Sequence, residues 1–202
     1  LKALIENGVD VIGGSADLGG STNVKHKDVR EIQSNDFTGN YINYGVREHA
    51  MAAIMNGMSA MGLRVFGSTF LVFSDYMRPS IRLSALSGLP VVYVFTHDSV
   101  AVGEDGPTHQ PIEQLPALRL IPNLNVFRPC NDAEVIYAWR TALTEVSRPT
   151  CIVLSRQKID LISAPEHTDL SRGAYVIHSA SKKRVVATII ATGSEVSLAV
   201  EV

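Results

Sequence analysis

The chain has 202 residues and a formal charge of -2, from 18 Lys and Arg against 20 Asp and Glu, with 46% hydrophobic and 19% charged residues. That balance excludes disorder, a collagen-like repeat and a coiled coil, and gives no bulk pull toward nucleic acid or an acidic membrane. The apolar content suffices for one core of about 150 residues and leaves a remainder; no apolar run reaches the roughly 20 residues of a membrane span.

Cys130 and Cys151 are too far apart for a Cys-x-x-Cys motif and read as free thiols in a reducing, cytoplasmic setting. The sequence opens on Leu1 to Ile5, with helical spacing and no initiating methionine, and stops inside a helical pattern from Glu195 to Val202. Both ends look cut.

In chain order, strand-type runs fall at Asp10 to Gly13, Tyr41 to Asn43, Leu63 to Phe66, Val91 to Thr96, Leu124 to Phe127 and Cys151 to Leu154. Helix-period stretches lie between them at Arg47 to Met61, Phe73 to Leu86, Ile112 to Leu120 and Asp132 to Glu145. Asp132 is the expected N-cap of the last, and Pro79 predicts a kink or a helix that begins near it. The alternation, with several strands apolar on both faces, predicts an α/β fold: a mostly parallel sheet with helices on both faces. From Ser155 to Ser181 the pattern loosens into a linker with at most a short strand at Tyr175 to Ile177. An apolar run then resumes at Val185 to Ala191, ahead of a helix start at Thr192 to Glu195.

In such sheets ligands gather beyond the carboxyl ends of the strands. Four loops there are rich in functional groups. In Gly13 to Thr22, glycines permit close backbone approach and Ser21 and Thr22 offer hydroxyls to an anion; a plain flexible turn is the competing reading. In Tyr44 to His49, Glu48 is either a first-turn capping acid or a general acid. In Ser68 to Tyr76, Phe70, Phe73 and Tyr76 recur at helical spacing, either as core or as a stacking wall for a flat heterocycle.

The fourth loop, Thr96 to Pro111, is the densest. It holds His97 and His109, two of the six histidines, with Asp98, Glu104 and Asp105, broken by glycines and prolines. Burying so many ionisable groups by accident would be costly, so a functional loop is the economical reading. A metal site at His97, Asp105 and His109 matches no familiar ligand spacing. Arg156, just after a strand, suits a phosphate or carboxylate, or else a surface ion pair.

Taken together, Gly13-Gly14-Ser15-Ala16-Asp17-Leu18, Gly45-Val46-Arg47-Glu48-His49, Ser68 to Phe73, His97 to Pro111 and Ser155-Arg156-Gln157 resemble, in this order, the transketolase family. The match is to its pyrimidine-binding domain, from about residue 9 to 160, and Val185 onward is similar to the start of its C-terminal domain. The division implied is 1–160 for the pyrimidine-binding domain, 161–181 for a linker and 182–202 for the start of the next domain.

The resemblance implies a cytoplasmic enzyme that transfers a two-carbon ketol unit from a ketose phosphate to an aldose phosphate through thiamine diphosphate. Glu48 matches the glutamate that hydrogen-bonds the aminopyrimidine, Phe73 the ring stacked on it, and Phe70 and Tyr76 complete the pocket. His109 and His97 match donor contacts, with His109 placed for proton transfer; Asp105 matches the reader of hydroxyl configuration, and Ser21 and Arg156 the phosphate-holding groups. The Gly-Asp-Gly motif that in this family holds the diphosphate and its divalent metal, Mg or Ca, is absent from the chain. In the family the site lies between the subunits of a homodimer, so this chain carries one wall and is expected to be inactive alone. Gly19 and Gly20 stand where the family often has proline. A dihydroxyacetone synthase, a deoxyxylulose phosphate synthase-like enzyme and, from another class, a non-catalytic dimerisation module are the alternatives.

Overall fold

The computed structural model describes residues 6, 9–160, 162–179 and 185–202. The helical reading of Leu1 to Ile5 lies outside them, as do residues 182–184 at the expected start of the next domain.

Six strands form one sheet: β1 (Ile12–Ser15), β2 (Tyr41–Asn43), β3 (Val65–Phe70), β4 (Val92–Thr96), β5 (Asn125–Phe127) and β6 (Thr150–Val153). Their order is β2-β1-β3-β4-β6-β5, and every neighbouring pair is parallel. The helices are α1 (Glu48–Ala60), α2 (Ser74–Leu86), α3 (Gln114–Arg119), α4 (Asp132–Thr144) and α5 (Glu195–Glu201).

Strands β3, β4 and β6 are buried along their whole length, which is why their sequences lack alternation. Successive side chains still part to opposite faces. Tyr93 and Phe95 join Met51, Met55, Met77 and Ile81 under α1 and α2. Val92 and Val94 join Phe66, Tyr41, Ala138 and Ala142 on the side of α4. Gly67 lets α1 approach β3, since a Cβ there would fall 2.6 Å from Met55 Sδ.

A buried polar link fixes α1 to α2: the Tyr93 hydroxyl donates to Asn56 Oδ1 at 3.3 Å and meets Ser84 Oγ at 3.0 Å, while Asn56 Nδ2 donates to the Ser80 carbonyl at 2.8 Å. Left unpaired, these groups would cost the fold their desolvation. Both cysteines are free and buried.

Two expectations need correction. Helix α4 is capped by Asn131, whose Oδ1 accepts the Glu134 N–H at 2.9 Å while Glu134 Oε2 accepts the Cys130 N–H at 2.7 Å. The cap is thus the residue before Asp132, which lies in the first turn instead. Helix α2 begins at Ser74, not near Pro79, because a 3-10 turn at Leu71–Phe73 leads directly into it. Tyr175 to Ile177, where at most a short strand is expected, and the apolar run Val185 to Ala191 form no strand among the described residues. Among the described residues no strand pairs with Val185 to Ala191, and Val186 and Ile190 are almost fully exposed. No helix among the described residues is long and apolar enough to cross a membrane.

Candidate active site

Because all strands run one way, their carboxyl ends line one edge of the sheet, and the four loops singled out by sequence meet there. Helices α1 and α2 each return from that edge and pack on one another. Their first turns therefore lie beside the site.

The aromatic stripe arises differently from the helical spacing expected. Phe70 ends β3, Phe73 ends the 3-10 turn and Tyr76 sits in α2. A 3-10 turn eclipses residues three apart, so the rings still stack. Phe70 and Phe73 lie 5.9 Å apart between centroids at 16°, and Phe73 and Tyr76 6.1 Å apart at 26°. Exposure rises along the row, from buried Phe70 through half-buried Phe73 to exposed Tyr76.

The two loop histidines close on this row. His97 stacks on Phe70 at 3.7 Å, and His109 presents its ring edgewise to Phe73 at 5.4 Å and to Phe70 at 6.0 Å. His97 Nδ1 is 2.9 Å from Thr96 Oγ1, and His109 Nδ1 is 2.8 Å from Thr108 Oγ1, so each ring is oriented by the hydroxyl before it. Burial lowers the pKa of His97; Asp105 opposes this, and Arg156 and His109 add to it. The neutral form of the imidazole is thereby favoured.

Arg156 stands 3.3 Å from Glu104 Oε1, with its Nε 3.9 Å from Asp105 Oδ2. Both ion pairs are solvent-accessible, so an anion with better geometry can displace them. Among the described residues no three His, Cys, Asp or Glu side chains are grouped to hold a metal, which leaves a metal reading of His97, Asp105 and His109 without geometric support.

Glu48 opens α1 and is only 8% exposed. Its carboxylate has no hydrogen-bond or ionic partner among the described residues, and its oxygens are not among the fully enclosed polar atoms, so they remain open to a ligand. The preceding turn is tight, with Gly45 at φ +68° and Arg47 Nη1 donating to the Tyr44 carbonyl at 3.0 Å.

The first loop separates its two hydroxyls. Thr22 is buried, donates to the Leu18 carbonyl at 2.9 Å and lies 2.9 Å from Ser68 Oγ, so it holds the loop onto β3 and is not free for an anion. Ser21 is exposed. Of the nine residues singled out, Phe70, Phe73, Tyr76, His97 and His109 form one connected row of rings, and Asp105 and Arg156 flank it. Glu48 and Ser21 stand on neighbouring loops of the same edge without direct contact to that row among the described residues.

Sequence reasoning passed over a buried pair beside the site. Asp98, next to His97, receives Arg128 Nε at 2.8 Å, and both side chains are almost fully buried. Arg128 directly follows β5, so the rule that singled out Arg156 after β6 would have found it.

Comparison with known proteins adds the relationships. The family model for the transketolase pyrimidine-binding domain matches residues 1–160. A transketolase of Cereibacter sphaeroides is 53% identical over 192 residues, covering 93% of this chain and 29% of the relative. Among solved structures, the transketolase of Leishmania mexicana superposes with a TM-score of 0.91 at 44% identity, over 98% of this chain and 30% of that one. A Pichia stipitis transketolase in complex with sedoheptulose-7-phosphate does so with a TM-score of 0.87 at 44% identity, over 95% and 29%. A more distant match, at TM-score 0.63 and 28% identity over 81% and 51%, is a split-gene transketolase described as an inactive β4 tetramer. The chain thus spans under a third of the length of the curated relatives it matches.

Proposed function

The chain belongs to the transketolase family through its pyrimidine-binding domain, and on that premise we propose that it forms one wall of a two-walled ketol-transfer site. The reaction would move a two-carbon unit from a ketose phosphate to an aldose phosphate. The observation that carries this reading is Glu48: a largely buried residue whose carboxyl group has no partner among the described residues and still reaches the site, opening a helix at the sheet edge where Phe73 offers a half-buried ring face.

Those two features suit a flat heterocycle with a ring nitrogen, and so fit the aminopyrimidine of thiamine diphosphate. When bound, that cofactor supplies the electron sink for an acyl carbanion equivalent, which no side chain can stabilise. Glu48 shares a proton with the ring nitrogen, and no partner among the described residues competes for its carboxyl group. Phe73 stacks on the ring, while Phe70 and Tyr76 extend the apolar row and exclude water.

His97 donates to or accepts from a donor hydroxyl, and His109 moves a proton at the reacting oxygen. Asp105 reads the adjacent hydroxyl. Ser21 and Arg156 hold the phosphate, Arg156 exchanging its loose bond to Glu104 for a dianion. The sugar-phosphate complex of the Pichia stipitis relative supports that class of substrate.

The diphosphate and its divalent metal, Mg or Ca, belong on this reading to the opposite wall, contributed by a second subunit of a cytoplasmic homodimer. Residues 1–160 form the pyrimidine-binding domain, 161–181 a linker and 182–202 the start of the next domain. The split-gene relative, inactive as a β4 tetramer, is consistent with such a division of labour.

The test is reconstitution. The 202-residue chain with thiamine diphosphate and Mg is expected to show no ketol transfer from a ketose phosphate, and to gain it when the diphosphate-binding region of a transketolase is supplied as a separate chain. Turnover by the chain alone would overturn the one-wall reading, and no gain on mixing, with a complex shown to form, would overturn the assignment.

A further inference from the structure

His97 adopts φ +60°, a left-handed conformation that a residue with a Cβ takes only where its surroundings enforce it. The ring itself is held on one side by Phe70 and at Nδ1 by Thr96. The backbone turn is held from the other side, through the next residue. Asp98 is buried, and its Oδ2 accepts from Arg128 Nε at 2.8 Å; its Oδ1 has no partner among the described residues. The Arg128 bond is therefore what anchors this carboxylate.

Arg128 leaves β5 and Asp98 leaves β4, with β6 between them in the sheet. The guanidinium thus bridges over the end of the strand that leads to Arg156. Its remaining donors go to a distant segment: Nη1 to the Thr192 carbonyl at 3.0 Å and to Glu195 Oε2, and Nη2 to Ser194 Oγ at 3.3 Å. Gly193 sits in that turn at φ +58°, and a Cβ there would fall 2.8 Å from Arg128 Cγ and Nε. Only glycine lets the turn close on the guanidinium. Three directions of donation from one planar group match arginine and not lysine.

We propose that Arg128 is a positioning residue for His97, acting through Asp98, and that its grip on Thr192–Glu195 makes the placement of the imidazole depend on the docking of that turn. This rests on the reading of His97 as a donor contact. The chain of contacts is continuous: the Thr192–Glu195 turn, Arg128, Asp98, the left-handed turn at His97, and the imidazole on Phe70.

The experiment uses the full-length protein with its cofactor, and the variants Arg128→Lys, His97→Ala and the two combined. Arg128→Lys is expected to raise KM for the ketose phosphate on the order of tenfold, within the usual range of coupled neighbours. The kcat, the aldose KM and the thiamine diphosphate affinity should stay within about twofold, because the bond that weakens is the one His97 makes to the ketose. In the His97→Ala background the same change should add less than about twofold to the donor KM. In 13C-histidine-labelled protein, the His97 ring resonance, assigned by its disappearance in His97→Ala, should move in Arg128→Lys while that of His26 stays. Asp98→Asn, which keeps the shape and removes the charge, should reproduce these effects if the lysine variant folds poorly.

An equal rise in donor KM in both backgrounds would overturn the proposal, since the effect would not run through His97. So would an unmoved KM and ring signal in Arg128→Lys and Asp98→Asn while His97→Ala itself raises KM. If His97→Ala leaves the donor KM unchanged, the reading of His97 fails, and the positioning role falls with it.

Discussion

The imidazole of His97 lies on the ring of Phe70, with centroids 3.7 Å apart and planes 26° from parallel. Burial, the largest cause of His97's lowered pKa, depends in part on that ring. Phe70→Leu should cost on the order of 1 kcal/mol in stability and let the His97 midpoint rise toward its ordinary value. Because the folded pKa lies below the unfolded one, the unfolded chain holds the extra proton in the interval between them. Stability therefore increases as pH rises through that interval. Histidine NMR titration and urea unfolding across it should show a higher midpoint and a flatter pH dependence in the variant; an unmoved midpoint would exclude Phe70 as the cause.

Glu48→Gln keeps the shape of a side chain that has no partner to lose among the described residues. Folding should be unaffected, since no bond is lost. Ketol transfer by the full-length protein should fall by about 10²- to 10³-fold, the range for a lost acid–base group. Wild-type turnover with an unchanged melting temperature would sink the catalytic assignment.

Two glycines of the first loop region should respond in opposite ways to alanine. At Gly14 a Cβ would fall 1.8 Å from the Ile42 carbonyl oxygen, backbone against backbone between β1 and β2. Strand separation must change, and Gly14→Ala should destabilise by about 3 kcal/mol or more. At Gly20 nothing lies within 4 Å and φ is not positive, so Gly20→Ala should be neutral or stabilise by up to about 1 kcal/mol. Denaturant midpoints decide both.

Adjacent hydroxyls in the same loop should separate stability from binding. Thr22→Val breaks the bonds to Leu18 and Ser68 inside the fold and should cost about 1–3 kcal/mol. Ser21→Ala should leave the melting temperature alone and raise the KM of phosphorylated sugars by several-fold in the full-length protein. The reverse pattern would exchange the two roles.

The layer architecture was legible because a doubly covered parallel strand is largely apolar on both faces, as β4 and β6 are, while β3 is equally buried but carries Ser68 and Thr69. Site loops were legible because the carboxyl ends of parallel strands share an edge, so His97 and Arg156 could be singled out from position, and His109 from the density of ionisable groups in its loop. The α4 cap was misjudged by one residue because Asn131 and Asp132 are both good caps, and the choice depends on where Glu134 reaches back. The Arg128–Asp98 pair was missed for a different reason. Its partners are 30 and more residues away in sequence, and only the insertion of β6 between β4 and β5 sets the span that the guanidinium crosses.

That insertion also governs the order in which the sheet can be made. Among the described residues strand β5 pairs with β6 alone, and β6 is the later of the two in the chain. Until Thr150–Val153 has been synthesised, Asn125–Phe127 has no ladder to join, and the open side of β4 is an unpaired edge. The growing chain therefore exposes a template for mispairing until β6 arrives, and that step closes two ladders at once. Parallel pairings of this kind carry the loop-closure entropy of long crossovers, so the slow phase of folding should be the insertion of β6.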